Sequence, residues 1–175
     1  MQNVGAVSII AEIKNDNQVN PTGMVVFYYN HAYSSDGCIQ TTPLPPASDV
    51  PQVSYAYDTN QNSDDFRVCG VTLVSTGDVN EIKFVRTTVF VSGAVLFCNT
   101  GQDPISAGDE VWVEMRAASK GADSIPCTIG RSLGEEQPQK GKYQYVGRCL
   151  VGAAPSYLAG KRLCFGQVLL GVQSV

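Results

Sequence analysis

Three carboxylates lie close together in NTGQDPISAGDEVWV, residues 99–113: Asp103, Asp109 and Glu110. Such a set is able to hold a cation or exchange protons with a substrate, provided the fold brings the oxygens to one point. The neighbouring residues support a second reading. Gly101 and Gly108 supply the positive φ that tight turns need, Asn99 and Asp109 bond nearby backbone, and Pro104 fixes φ at the loop centre. Flanked by the apolar runs FVSGAVLF and VWV, the stretch is predicted to be a structural corner between two strands, not a metal or catalytic site.

Other combinations are weaker still as chemistry. His31 is the single histidine, and it sits in YYNHAYSSDG with Ser34, Ser35, Asp36 and Cys38 nearby. Residues that close in sequence rarely reach the geometry of a triad, and no Gly-x-Ser-x-Gly elbow accompanies them. Asp64-Asp65 and Glu135-Glu136 are adjacent pairs in polar loops, which read as solvated turns and not as a glycosidase pair. DTNQNSDD, residues 58–65, alternates oxygen donors but lacks the central glycine and closing glutamate of a calcium loop. Phosphate-binding glycine motifs are absent. No catalytic residue, metal site or cofactor is therefore expected.

The six cysteines, at 38, 69, 98, 127, 149 and 164, are never closer than fifteen positions, which excludes a local zinc knuckle. Most lie in apolar runs such as FRVCGVTLV, VLFCNT and RLCFGQVLL, where cysteine behaves as a small buried hydrophobe. An even count permits disulfides; the absence of secretion signals favours reduced thiols.

The elements that would position these residues are strands. Helical periodicity is almost missing, and short β-branched and aromatic runs alternate with turn residues, 17 glycines and 9 prolines among them. Strands are predicted near 4–13, 23–30, 53–57, 66–74, 79–86, 88–97, 110–116, 125–129, 143–152 and 161–172. The fold class is all-β, a β-barrel or β-sandwich with a long proline-rich loop insertion. It is read as a single domain over 1–175, with a barrel-like core at 66–172 and an extended loop at 31–52. The stretch GRSLGEEQPQKGK, residues 130–142, is expected to be a solvated tip. FRVCGVTLV…SGAVLF and YQYVGRCLVG…FGQVLLG share a plan, Val-x-Gly or Val-Gly first and Gly-x-Val-Leu later (93–96 and 166–169). This is either one hairpin plan used twice or chance similarity between strands.

Charged residues make up 16% of the chain against a usual value of about 25%, and the net charge is -4. A basic footprint for nucleic acid is missing. No apolar run reaches the roughly 18 residues of a membrane span. The start, MQNVGAVSIIAEIKNDNQ, lacks a basic n-region, so it is expected to be a first strand with the native N-terminus present, not a signal peptide.

Taken in order, Val-x-Gly-Val-x-Leu, G-x-V-L-F-x-N-T-G, I-x-A-G-D-x-V-W-V and V-G-R-C-L-V-G-A resemble the plan of small β-barrel virion proteins. These are the capsid decoration and stabilising proteins of tailed phages and comparable minor capsid proteins of large DNA viruses. The resemblance covers about residues 66–172. It implies a non-enzymatic virion subunit, assembled in the host cytoplasm, that binds the major capsid protein or neighbouring copies of itself. The cysteine count favours a virus assembling in a eukaryotic cytosol. The alternative is a carbohydrate-binding β-sandwich using Trp112, tyrosines and Asn/Asp loops.

The loop HAYSSDGCIQTTPLPPASDVPQ carries four prolines and needs somewhere apolar to place Ile39, Leu44 and Val50. Tyr33, Ile39, Leu44, Pro45, Pro46 and Val50 are expected to contact a partner, the loop acting as an arm; the competing reading is a lid over its own barrel. Tyr28, Tyr29, Tyr33, Tyr55 and Tyr57 flank it, either as strand residues with outward hydroxyls or as part of an interface.

Overall fold

The computed structural model describes residues 3–14, 23–28, 52–54, 68–73, 84–114, 127–139, 142–155 and 165–171. They form nine strands and no helix: β1 (Val4–Lys14), β2 (Val25–Tyr28), β3 (Gln52–Ser54), β4 (Val68–Thr72), β5 (Phe84–Cys98), β6 (Glu110–Glu114), β7 (Cys127–Arg131), β8 (Tyr143–Val151) and β9 (Phe165–Leu170). The all-β expectation holds. The proline-rich segment 31–51, with Tyr33, Ile39, Leu44, Pro45, Pro46 and Val50, lies outside the described residues, as do His31, Cys38, Cys164 and the 58–65 loop.

One sheet carries all nine strands in the order β1-β3-β2-β4-β5-β9-β8-β6-β7. It is antiparallel apart from a short parallel β1–β3 contact, and it curls into a half-barrel. The curl is strong enough that β1 also pairs with β5, from Lys14↔Phe84 to Val4↔Ala94. Strands β1, β3, β2, β4 and β5 therefore form a circuit. Ala11, Met24, Val26, Val53, Cys69, Val89 and Cys98 make one core cluster that draws on all five. A second cluster joins Val95, Phe97, Ile105, Val111, Val113, Val146, Cys149 and Val168 to the opposite faces of β2 and β4, at Val25, Phe27 and Val71. Each buried side chain of this size contributes roughly 1.5–3 kcal/mol.

The sheet order has an internal symmetry. Read from one side it is β3-β2-β4-β5, and from the other β7-β6-β8-β9, with the two halves joined antiparallel through β5 and β9. The chain thus uses one four-stranded plan twice, β2 to β5 and β6 to β9. Residues confirm the match. Between β2 and β4 the register steps from Val26↔Gly70 to Phe27↔Val68, leaving Cys69 as a bulge. Between β6 and β8 it steps from Val111↔Gly147 to Trp112↔Tyr145, leaving Val146 as a bulge. Each bulged residue is buried and directly precedes a glycine. A bulge followed by glycine in the same place in both halves is a shared device for curling the sheet.

Of the Val-x-Gly and Val-Gly starts, the glycine is the structural equivalence: Gly70 and Gly147 each follow the bulge, whereas Val68 answers to Tyr145 and Val146 to Cys69. The Gly-x-Val-Leu parts lie in the corresponding strands β5 and β9 but at different registers: Gly70 backs onto Phe90 and Val89 and Gly147 onto Leu169 and Val168, so Val168 answers to Val89 and not to Val95. One expected break is also absent. The predicted strands at 79–86 and 88–97 meet in a continuous β5 over 84–98. Its polar centre, Arg86-Thr87-Thr88, is held by pairing to Glu12, Ala11 and Ile10 of β1, and β-branched threonines suit a strand.

Candidate functional site

The stretch after β5 closes the second half, much as β1 closes the first. Asn99, fully buried, is its centre. Its Nδ2 donates to the carbonyl oxygens of Asp103 at 2.8 Å and Ala153 at 3.1 Å. Its Oδ1 accepts from Gly101 N at 3.0 Å and Thr128 Oγ1 at 2.9 Å. The two donors and two acceptor positions of the amide are all used. Thr100 and Thr128 exchange backbone-to-hydroxyl bonds, Thr100 N to Thr128 Oγ1 at 2.9 Å and Thr128 N to Thr100 Oγ1 at 3.2 Å. These bonds fasten the end of β5 to the outer edge of β7, an edge that would otherwise invite pairing with another chain.

Ile105, 1% exposed, plugs the gap between β7 and the end of β8. It exchanges backbone bonds with Ala153, both at 2.9 Å. The turn that follows is bonded to β8: Gly108 N donates to Cys149 O and Cys149 N to Asp109 O, each at 2.8 Å. Gly108 has φ of +92°, as its turn position requires, but Gly101 does not adopt the positive φ expected of it: glycine is needed there because a Cβ would lie 2.0 Å from the carbonyl oxygen of Thr128.

The three carboxylates go three ways. Asp103 is exposed, and its backbone carbonyl is what Asn99 binds. Asp109 Oδ2 accepts from Ser106 N at 3.0 Å and its Oδ1 from Ser132 Oγ at 3.4 Å, which stiffens the turn. Glu110 forms an ion pair with Arg131 across β6 and β7 and accepts from Trp112 Nε1 at 3.4 Å. Among the described residues, no three or more His, Cys, Asp or Glu side chains are grouped to hold a metal ion. The stretch is a corner.

Arg131 does more than pair. Its Nε also donates to the carbonyls of Glu135 at 3.0 Å and Glu136 at 3.2 Å, so one guanidinium binds down the 132–136 turn. The turn is exposed, as expected for a solvated tip, although Gly130 and Arg131 belong to β7. Trp112 is 7% exposed and meets Tyr145 edge to face at 5.5 Å, so its ring is turned to packing. Burial raises the pKa of Tyr145, the negative Glu110 adds to this, and Arg148 opposes it.

Among the described cysteines, those in the apolar runs sit as the runs suggest. Cys69, Cys98 and Cys149 are buried, and Cys127 is half-buried. Cys149 Sγ donates to Val151 O at 3.1 Å. Burial, and secondarily the charge of Asp109, pushes this thiol up to about 11.

What the surface offers is aliphatic. On β8 and β9, Leu150 (41%), Val151 (39%) and Leu169 (45%) are exposed on neighbouring strands, and on β1 so are Val4 (62%), Val7 (54%) and Ile10 (47%). Sequence reasoning missed this surface because period-2 alternation alone does not say which apolar face is covered. No protein-family model matches the chain, and no curated protein matches it.

Proposed function

We propose that this is a non-enzymatic virion structural protein, a minor capsid or decoration subunit that binds the major shell protein or neighbouring copies of itself. The observation that carries this reading is the exposed aliphatic surface of Leu150, Val151 and Leu169 on a chain of low charge. Clustered exposed aliphatics mark contact sites for other proteins. Two further features support it. The polar stretch that most resembled a site is occupied in closing the sheet, and the order of motifs resembles small β-barrel virion proteins. The carbohydrate-module reading stands second because Trp112, its natural stacking platform, is packed on Tyr145.

In this reading the 31–52 segment is an arm, with Tyr33, Ile39, Leu44, Pro45, Pro46 and Val50 reaching the neighbour. Leu169→Asp and deletion of residues 40–50 test it. Each should leave the thermal midpoint nearly unchanged while particle incorporation falls. Undiminished incorporation of both variants contradicts the proposal, and unfolding by the deletion makes the segment a lid.

A further inference from the structure

We propose that the 132–136 turn seats Leu133 on the aliphatic patch of Leu150, Val151 and Leu169 of a second copy of this chain, and that the second copy returns the contact. This deepens the assembly reading and rests on it, since it names a neighbouring copy as the partner and the two surfaces that meet.

The turn is built to hold a leucine outward. Ser132 O accepts from Glu135 N at 3.1 Å and Gly134 has φ of +101°, the pattern of a type II turn with Leu133 at its leading corner. Arg131, fixed by its ion pair with Glu110, donates Nε to the carbonyls of Glu135 and Glu136. Leu133 is nevertheless 66% exposed, the most of any large apolar side chain among the described residues. A tip held in one shape by its own chain loses little conformational freedom on docking, which suits a contact residue.

Charge names the partner. Glu135 and Glu136 stand exposed beside Leu133, and the guanidinium of Arg131 is already committed to Glu110 and to backbone. A surface that receives this tip is therefore apolar and flanked by a cation. The β8–β9 face of the same chain has that makeup: Leu169 lies directly opposite Arg148, near Leu150 and Val151. Glu110 sits between Arg131 and Arg148, and its ion pair goes to Arg131, so Arg148 has no ion pair among the described residues.

Within one copy the contact is not made. Arg131, Glu110, Arg148 and Leu169 form one row across β7, β6, β8 and β9. The turn leaves this row at Arg131, three strand spacings from Leu169, or about 14 Å. Two copies related by a two-fold axis exchange both contacts at once, which closes the assembly at a dimer.

Two tips and two small patches bury less than the ~1,200 Å² of a standard interface, so a dissociation constant of micromolar order or above is expected. Sedimentation equilibrium of the full chain, from about 10 μM to about 1 mM, should show a monomer–dimer equilibrium. Leu133→Asp, at an exposed turn position, should raise the dimer Kd at least about tenfold with the thermal midpoint retained. Charge exchange reads the pairing itself. E135K/E136K and R148E should each weaken self-association, because each sets like charges together. An equimolar mixture of the two should associate as the wild type does, because both of its contacts then join opposite charges. Leu133→Asp decides alone if Arg148→Glu does not fold. A wild-type chain that stays monomeric throughout, a dimer indifferent to Leu133→Asp, or a mixture of folded variants no tighter than its components overturns the inference. A monomeric wild type whose Leu133→Asp variant is lost from particles would give the tip to a different protein, and overturns it as well. Stoichiometric presence in particles, measured separately, tests the assembly reading itself, so the two can fail independently.

Discussion

Gly70 and Gly147 occupy the same place in two different hairpins. A Cβ on Gly70 would lie 1.9 Å from the carbonyl oxygen of Phe90 and 3.0 Å from Val89 Cγ1; a Cβ on Gly147 would lie 2.1 Å from the oxygen of Leu169 and 3.0 Å from Val168 Cγ2. In both, the backbone of the neighbouring strand has taken the space of a side chain, next to a bulge. The curl of the sheet depends on that approach in each half.

Gly70→Ala and Gly147→Ala should therefore be similarly damaging. The blocking atom is backbone, which cannot swing aside, so each should cost about 3 kcal/mol or more, or prevent folding. Urea denaturation of the two variants checks this. If one is nearly neutral and the other severe, the two glycines do not serve one plan.

Gly108→Val should destabilise by more than about 1 kcal/mol through its backbone conformation. A Cβ there meets nothing within 4 Å, so the cost comes from φ alone, and Gly108→Asn should recover much of it. Asp103→Ala, at an exposed turn, should stay within about 0.5 kcal/mol. Loss of partner binding by Asp103→Ala with stability intact would show that the corner is also a site.

Asn99→Asp should be far worse than its small change in shape suggests. The amide donors to Asp103 O and Ala153 O would be replaced by a carboxylate oxygen facing two carbonyls in a fully buried position. A loss of about 3 kcal/mol is expected, since unsatisfied buried groups cost about 1–3 kcal/mol each. Chemical denaturation at pH 7 measures it, and a loss below about 1 kcal/mol would remove Asn99 from its central role.

Alkaline pH should weaken the fold through Cys149. Its thiol is raised in the folded state from 9.0 to about 11, so the folded chain holds the proton more tightly than the unfolded chain. The contribution is complete below pH 9.0 and is lost as pH rises through about 11. Tyr145, also raised, acts in the same direction above its ordinary value of 10.0. Urea midpoints of the wild-type chain and Cys149→Ala across pH 8–11 isolate the thiol: the wild-type decline should be the steeper. Parallel declines would contradict the assignment.

The fold class and the character of the 99–113 corner were legible because they rest on local signals: strand periodicity, Ala-Gly-Asp at a turn and apolar flanks. β7 runs two residues past its expected end because Gly130 and Arg131 pair with Val111 and Glu110, and the break near Thr87 was illusory because long-range pairing with β1 decides the continuity of β5. The importance of Asn99 was hidden for a similar reason. Two of its partners, Thr128 and Ala153, lie 29 and 54 positions away, and no spacing rule links them. The repeated plan was visible as Val-x-Gly in one half and Val-Gly in the other, yet only the register steps at Cys69 and Val146 separate true equivalence from resemblance between strands.

If this chain is a building component of a particle, as proposed, quantitative mass spectrometry of virions purified from the culture that produces it should find it there. The chain should be a stoichiometric component, retained through gradient purification at a fixed ratio to the major shell protein. Its absence from purified particles, or recovery only as a trace that washes away, would contradict the claim.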